Sequence, residues 1–226
     1  RRPRWGSDDA WHDGPSVMDL VLATRSTHKI KEIRTILEVV PNLRVLDLTE
    51  AGVSYDGAEE DLEPYDTFEE NAASKAAYFQ GITGLLTVAD DSGIEIDLLD
   101  GAPGVRSKRF APDQSLSGLP LDEANNAHLL ASLGDAHPEK RTGRYVCVTV
   151  LNCGNPDDVT YTRGEAPGVI LDAPRGAGGF GYDPLFFDEE LGRTFAEIAP
   201  EEKNARSHRG KAFRALAERL VLTPLS

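Results

Sequence analysis

Apolar residues recur along the chain at two spacings, and the two alternate. Residues 19 to 24, DLVLAT, form the short continuous apolar run of a buried strand. After RSTH the spacing changes. Ile30, Ile33 and Leu37 in KIKEIRTILEVV recur every three or four positions, which predicts an amphipathic helix that Pro41 stops. VLDLTEAGV predicts a second strand, and the acidic loop DGAEEDLEPYD follows it. Thr67 and Glu70 then stand three apart ahead of FEENAASKAAYFQ, the spacing of a capping box, with Gly81 as the expected end of that helix. LLTVAD predicts a strand that ends at the Asp-Asp-Ser-Gly stretch, and DEANNAHLLASL, 122 to 133, a helix. RYVCVTVLNC and DDVTYTRGEA predict two strands around an Asn-Pro-Asp turn, and KAFRALAERL a closing helix. Strand and helix signals alternating in this way predict an α/β fold on a mixed sheet.

Residues 1–17 stand outside this pattern. They carry Pro, Gly and Asp without periodicity, and the single methionine, Met18, directly precedes the first strand. They are expected to be an extension, with the fold in 18–226. With 226 residues, 40% of them hydrophobic, the chain can bury a core of its own. A formal charge of -14 argues against the broad basic face that nucleic acid or an anionic membrane requires. No run approaches the roughly 20 apolar residues of a membrane span, and no signal-peptide segment precedes Met18, so a cytoplasmic location is expected. Cys147 and Cys153 share one strand signal without metal-ligand spacing and read as core thiols.

Candidate chemistry gathers at element ends. Lys29 falls at the start of the first helix, where the dipole repels a cation and an anion would resolve the conflict. Ser207 is an N-cap candidate with His208 and Arg209 in the following turn, a second phosphate-like cradle, or else side chains pointing to solvent. Lys75 shares a helix face with Thr67 and Asn71, as a solvated stripe would too. Asp90 and Asp91 suit a hard divalent ion beyond a strand end, or an Asx turn. In GAGGFGYDPLFF, Phe180 and Tyr182 could stack on a base and Asp183 could accept from it; a glycine turn into a strand is the plainer reading.

Taken in order, LATRSTHKIKEI, TFEENAASKA, ADDSGIEIDLLDGAPGVRSKRFA, GGFGYDPLFF and EEKNARSHRGKA resemble the signature blocks of the noncanonical purine nucleoside triphosphate pyrophosphatases, also called inosine triphosphate pyrophosphatases or XTP/dITP diphosphatases. The resemblance spans residues 18 to about 220. It implies a single two-lobed α/β domain around a long mixed sheet with the active site in the cleft, a homodimer, and magnesium-dependent hydrolysis of ITP, dITP and XTP to the monophosphate and pyrophosphate. Carried over by residue, Thr24, Arg25, Ser26, Thr27, His28 and Lys29 would cradle the triphosphate, with Lys75 as a further phosphate ligand. Asp91 matches the proton acceptor and metal ligand, Glu63 the other acidic metal position and Ser92 a substrate contact. Asp90 matches a supporting place. Phe180, Gly181, Tyr182 and Asp183 would hold base and sugar, with Lys203, His208 and Arg209 completing the pocket.

Three positions depart from the pattern. Ser26 stands where the family usually has Asn, Pro64 and Tyr65 replace Thr and Gly beside Glu63, and Ala166 stands where an aromatic is common. Two alternatives are weighed against this reading. Maf-like pyrophosphatases, which act on modified pyrimidine or methylated guanine nucleotides, usually carry an S-x-S-P-R-R-like first block that TRSTHK does not resemble. A nucleotide-binding module without turnover would gain little from adjacent carboxylates beside a polyanion.

Overall fold

The computed structural model describes residues 17–113, 115–155 and 159–222; most of the expected N-terminal extension and most of the Asn-Pro-Asp turn lie outside the described residues. In chain order the described elements are β1 (Met18–Leu22), α1 (Thr27–Leu37), β2 (Leu43–Leu46), α2 (Phe68–Thr83), β3 (Leu86–Ile96), β4 (Pro103–Gly104), α3 (Leu119–Leu133), β5 (Thr142–Asn152), β6 (Val159–Ile170), β7 (Phe186–Asp188), β8 (Arg193–Thr194), α4 (Pro200–Arg206) and α5 (His208–Leu222). The strands form one sheet in the order β2-β1-β3-β5-β6-β7-β8, with β4 also on β3. β1 runs parallel to β2 and β3, and the remaining pairs are antiparallel, so the sheet is mixed as the sequence predicts.

Strand alternation sorts the core into two layers. Leu20, Leu22, Val88 and Cys147 face α1 and α5, where they meet Ile33, Leu37, Phe213 and Leu216. Val21, Ala23, Ala89 and Val148 face the other way and pack on Phe68, Ala72, Ala76 and Phe79 of α2. A third cluster, with Ile94, Leu129, Tyr145, Phe186 and Phe195, fills the space under the far end of β3, α3 and β7.

Among the predicted boundaries that shift, two do so for a local reason and one for a tertiary one. The strand expected over VLDLTEAGV is only Leu43–Leu46, because Asp47 Oδ1 accepts the N–H groups of Thr49 and Glu50 and turns the chain. α2 continues through Gly81 and ends at the left-handed Gly84. Most consequentially, β3 does not stop at Asp90-Asp91. It runs through Ser92 and Gly93 to Ile96, paired residue for residue with β5. Gly93 is there for closeness and not for a turn: a Cβ would stand 2.2 Å from the Gly104 carbonyl oxygen and 2.5 Å from Ser107 Oγ.

Candidate active site

β1 pairs with β3 only as far as Leu22 opposite Val88, and β4 occupies the same edge of β3 at Ile94 and Glu95. Between them, Asp90 to Ser92 lie on an open stretch of sheet edge beyond the carboxyl end of β1, where the loop into α1 begins. Here the two layers of the molecule meet, and successive residues of β3 point into different ones.

Asp90 turns toward α1 and α5. It is buried, and its Oδ2 lies 2.9 Å from Lys29 Nζ, 3.6 Å from Arg209 Nε and 3.9 Å from Cys147 Sγ. Burial pushes this carboxyl up, but Lys29, Arg209 and Lys75 together hold it well below the usual carboxylate range. Arg209, itself buried, donates to Glu32 Oε2 at 2.6 Å and to Ser92 Oγ at 3.0 Å. Glu32 also lies 3.4 Å from Lys203 Nζ, and Lys203 donates to Asp183 Oδ2 at 2.6 Å. The result is a largely buried network of alternating charges in which Lys29, Arg209 and Lys203 share three carboxylates, with Lys29 and Glu32 half-buried.

Asp91 turns toward α2 and has no direct cationic partner among the described side chains. Its Oδ2 accepts from Asn71 Nδ2 at 3.1 Å and its Oδ1 from the Ser92 N–H at 2.9 Å. Burial raises this carboxyl above its ordinary value; Lys75 opposes the shift and the Glu63 charge adds to it. Lys75 reaches the open edge from α2, donating to the Asp90 carbonyl oxygen at 2.5 Å and pairing with Glu63. Asn71 holds the departed segment after Glu63 by both backbone groups of Tyr65, accepting its N–H at 2.9 Å and donating to its carbonyl at 3.1 Å. Asp91 and Glu63 are hard oxygen donors that both feel the charge of Lys75, which pairs directly with Glu63, and among the described residues no three His, Cys, Asp or Glu groups form a closed metal cage. Two carboxylates without a cage fit a magnesium ion, which takes most of its ligands from water and phosphate.

The glycine-rich segment forms the opposite wall. Phe180 is half-buried, with the His28 ring stacked on it at 5.3 Å and 23°, Lys203 Nζ 4.6 Å and the Arg209 guanidinium 5.7 Å from its centroid. Asp183 is buried beneath it, accepting the Phe180 N–H at 2.8 Å as well as Lys203. Tyr182 lies in the core, where its hydroxyl donates to the Ser107 carbonyl oxygen at 2.8 Å. Ser207 Oγ accepts the Gly210 N–H at 3.0 Å and so caps α5, as its sequence position predicts. His208 is buried and stacked on Tyr145 at 4.6 Å; burial, with Arg209 and Lys203 nearby, keeps the imidazole neutral far below its ordinary range.

In the segment Thr24 to Lys29 the side chains diverge. Ser26 is the N-cap of α1, its Oγ accepting the Lys29 N–H at 3.4 Å, and Thr24 Oγ1 accepts the Ser26 N–H at 3.2 Å. Thr27 is exposed at the first turn. Arg25 reaches away from Asp90: Nε and Nη2 grip Glu59 at 3.0 and 2.7 Å, and Nη1 donates to the Val53 carbonyl oxygen at 3.1 Å.

A family model described as the Ham1 family matches residues 20–219. The chain belongs to the Ham1 family. Curated relatives include the dITP/XTP pyrophosphatase of Geobacter sulfurreducens, 48% identical over 202 residues, which are 89% of this chain and 96% of that one. The dITP/XTP pyrophosphatase of Frankia alni is 46% identical, with 91% of this chain and 100% of the relative covered. Among solved structures, a HAM1 protein from Coxiella burnetii superimposes with a TM-score of 0.78 at 35% identity, covering 91% of this chain and 100% of that one.

Within this Ham1 chain three residues of the site network carried no sequence signal as functional groups. Glu32 joins Arg209 to Lys203 from α1, Asn71 ties Asp91 to Tyr65, and Glu59 holds Arg25. The polar side of an amphipathic helix was the only hint for Glu32. Asn71 shared the stripe with Lys75 but looked like solvated surface.

Proposed function

We propose that this chain hydrolyses noncanonical purine nucleoside triphosphates, dITP, XTP and ITP, to the monophosphate and pyrophosphate, and so clears them from the nucleotide pool. The observation that carries the reading is the pair Asp90 and Asp91, adjacent on one open strand edge, the first paired with Lys29 and the second pushed up by burial. A carboxylate raised by burial is a better proton acceptor than an ordinary one, and Asp91 holds that place beside the open strand edge. Relatives named dITP/XTP pyrophosphatase over nearly the whole chain support the substrate class.

In this mechanism the triphosphate lies along the open edge with its β and γ groups toward Lys29 and Lys75 and the base toward Phe180. Asp91 takes a proton from a water aligned with the α-phosphorus; pyrophosphate leaves and the monophosphate remains. Asn71 fixes the carboxylate's orientation. Magnesium, held by Asp91 and Glu63, would neutralise charge on the phosphate oxygens. Phe180 supplies the stacking face, while Lys203, Arg209 and Ser92 border the base and sugar. A 6-oxo purine offers an acceptor to these donors, whereas the 6-amino group of adenine would set donor against donor. A homodimer in the cytoplasm is the proposed working form.

The test is a panel of nucleotides with and without magnesium, read by product. Pyrophosphate from dITP, XTP and ITP in the presence of magnesium, with dATP a poor substrate, is expected. Orthophosphate as the first product, or equal turnover of dATP and dITP, would refute the reading.

A further inference from the structure

The segment that presents Phe180 is anchored by α3, a helix that supplies none of the site side chains described above. Residues 172–179 are exposed, and Gly179 and Gly181 both adopt positive φ, +72° and +63°. Such a segment does not fix an aromatic ring by its own stiffness. Both backbone groups of Gly181 are instead taken by α3: its N–H donates to Asp122 Oδ2 at 2.9 Å, and its carbonyl oxygen accepts from Asn126 Nδ2 at 2.9 Å. Asp122 and Asn126 stand four residues apart, so one turn of helix separates them on a single face.

α3 in turn is fixed to the sheet side of the molecule. Leu129 and Leu133 enter the third core cluster, and Asn125 accepts the N–H groups of Phe110 and Ala111 while donating to the Lys108 carbonyl oxygen. The next residue after Gly181, Tyr182, donates to Ser107, and the residue before it, Phe180, donates through its N–H to Asp183. Three anchors thus bracket the Phe180 ring, and the middle one is the two-pronged grip of α3 on Gly181.

We propose that Asp122 and Asn126 are positioning residues for the nucleobase: by holding Gly181 they set where the Phe180 ring stands relative to Lys203 and Arg209, without touching the substrate. The proposal rests on the nucleotide reading above. Its signature is selective. A ligand with a base should lose affinity when the grip is removed, and a ligand without one should not.

The experiment compares Asp122→Ala and Asn126→Ala with the wild-type chain in dITP kinetics and in inhibition by inorganic triphosphate, which has phosphates but no base. KM for dITP is expected to rise about tenfold, as displacement of a substrate-positioning group by a fraction of an ångström can do. The inhibition constant for triphosphate should stay within about twofold, well inside that effect. Discrimination between dITP and dATP should narrow, and Asp122→Asn, which retains an acceptor for the Gly181 N–H, should recover most of the wild-type KM. Should either alanine variant fail to fold, Asn126→Asp keeps the shape while placing an acceptor against the Gly181 carbonyl, and the same selective loss is expected. Equal loss toward dITP and triphosphate, or unchanged dITP kinetics in folded variants, would overturn the proposal. A wild-type chain that does not turn over dITP would instead sink the nucleotide reading.

Discussion

On the α1 and α5 side of β3 a carboxylate sits among cations; on the α2 side, one residue further on, an identical carboxylate sits with an amide and a backbone N–H. Strand alternation alone separates them, yet Asp90 is held ionised while burial pushes Asp91 toward its protonated form. The difference shows how one fold gives adjacent copies of a residue opposite electrostatic settings, one an anchoring anion and the other, in the proposed mechanism, a proton acceptor. Asp90 belongs to the network that joins Lys29, Arg209 and Lys203, and Asp91 stands outside it, hydrogen-bonded to Asn71 and the Ser92 N–H with no cation in direct contact. Substitutions on either side should therefore differ in kind as well as in size.

The largest effect is expected from Asp90→Asn, which leaves buried Arg209 and half-buried Lys29 with one counter-charge fewer. Removing one member of a buried ion network costs about 3 kcal/mol or more, so the urea midpoint should fall markedly. A shift below about 1 kcal/mol would mean that Asp90 is no anchor, because that is the scale of an exposed pair.

His208, on the same side, gives the contrast a pH dependence. Its folded pKa is depressed, so as pH falls through about 6.5, the ordinary histidine value, the unfolded chain binds the proton first and stability is lost. Between pH 6.5 and 5 one such group removes up to about 2 kcal/mol. Asp91, whose pKa is raised, acts in the opposite sense in the window above the ordinary aspartate value. His208→Gln should flatten the acid-side loss seen in denaturant titrations, and an unchanged pH slope in that variant would place the proton elsewhere.

The α2 side offers a smaller test at Arg25. Its guanidinium grips Glu59 in the turn Gly57–Asp61, just before Glu63, so the expected part of Arg25 is to latch that loop. Arg25→Glu should lower kcat/KM for dITP by about tenfold, and the exchange Arg25→Glu with Glu59→Arg should restore most of it, as a coupled pair does. A phosphate ligand at Arg25 would not be rescued. Smallest of all is Ser26→Asn: both residues cap helices well, so the melting temperature should barely move and kcat/KM should change by less than about tenfold.

How much of this was legible in the sequence depended on the range of the interaction. Local chemistry could be read: the Thr67 cap of α2, the Ser207 cap of α5 and the helical spacing of Ile30, Ile33 and Leu37 all appear in place. The Asp-Asp-Ser-Gly stretch misled because its residues favour turns, whereas the close approach of Gly104 and Ser107 to Gly93 is a tertiary fact that no local rule contains. Arg25 and Glu59 are 34 residues apart, and Glu32 and Arg209 are 177 apart. Tyr182 and Asp183 occur in a segment whose composition suggests ligand contact, but their side chains face inward, one in the core and one under Phe180. The ordered blocks gave the family because several local patterns were combined; the partition of charge around them required the fold.

The most direct test of the account is the turnover of Asp91→Asn at saturating magnesium and dITP, measured beside its thermal melting. Loss of a general base lowers kcat by about a hundredfold or more, while removal of a buried, poorly compensated carboxylate should leave the melting temperature unchanged or raise it. A folded variant turning over dITP at close to the wild-type rate would contradict the assignment of Asp91 as proton acceptor.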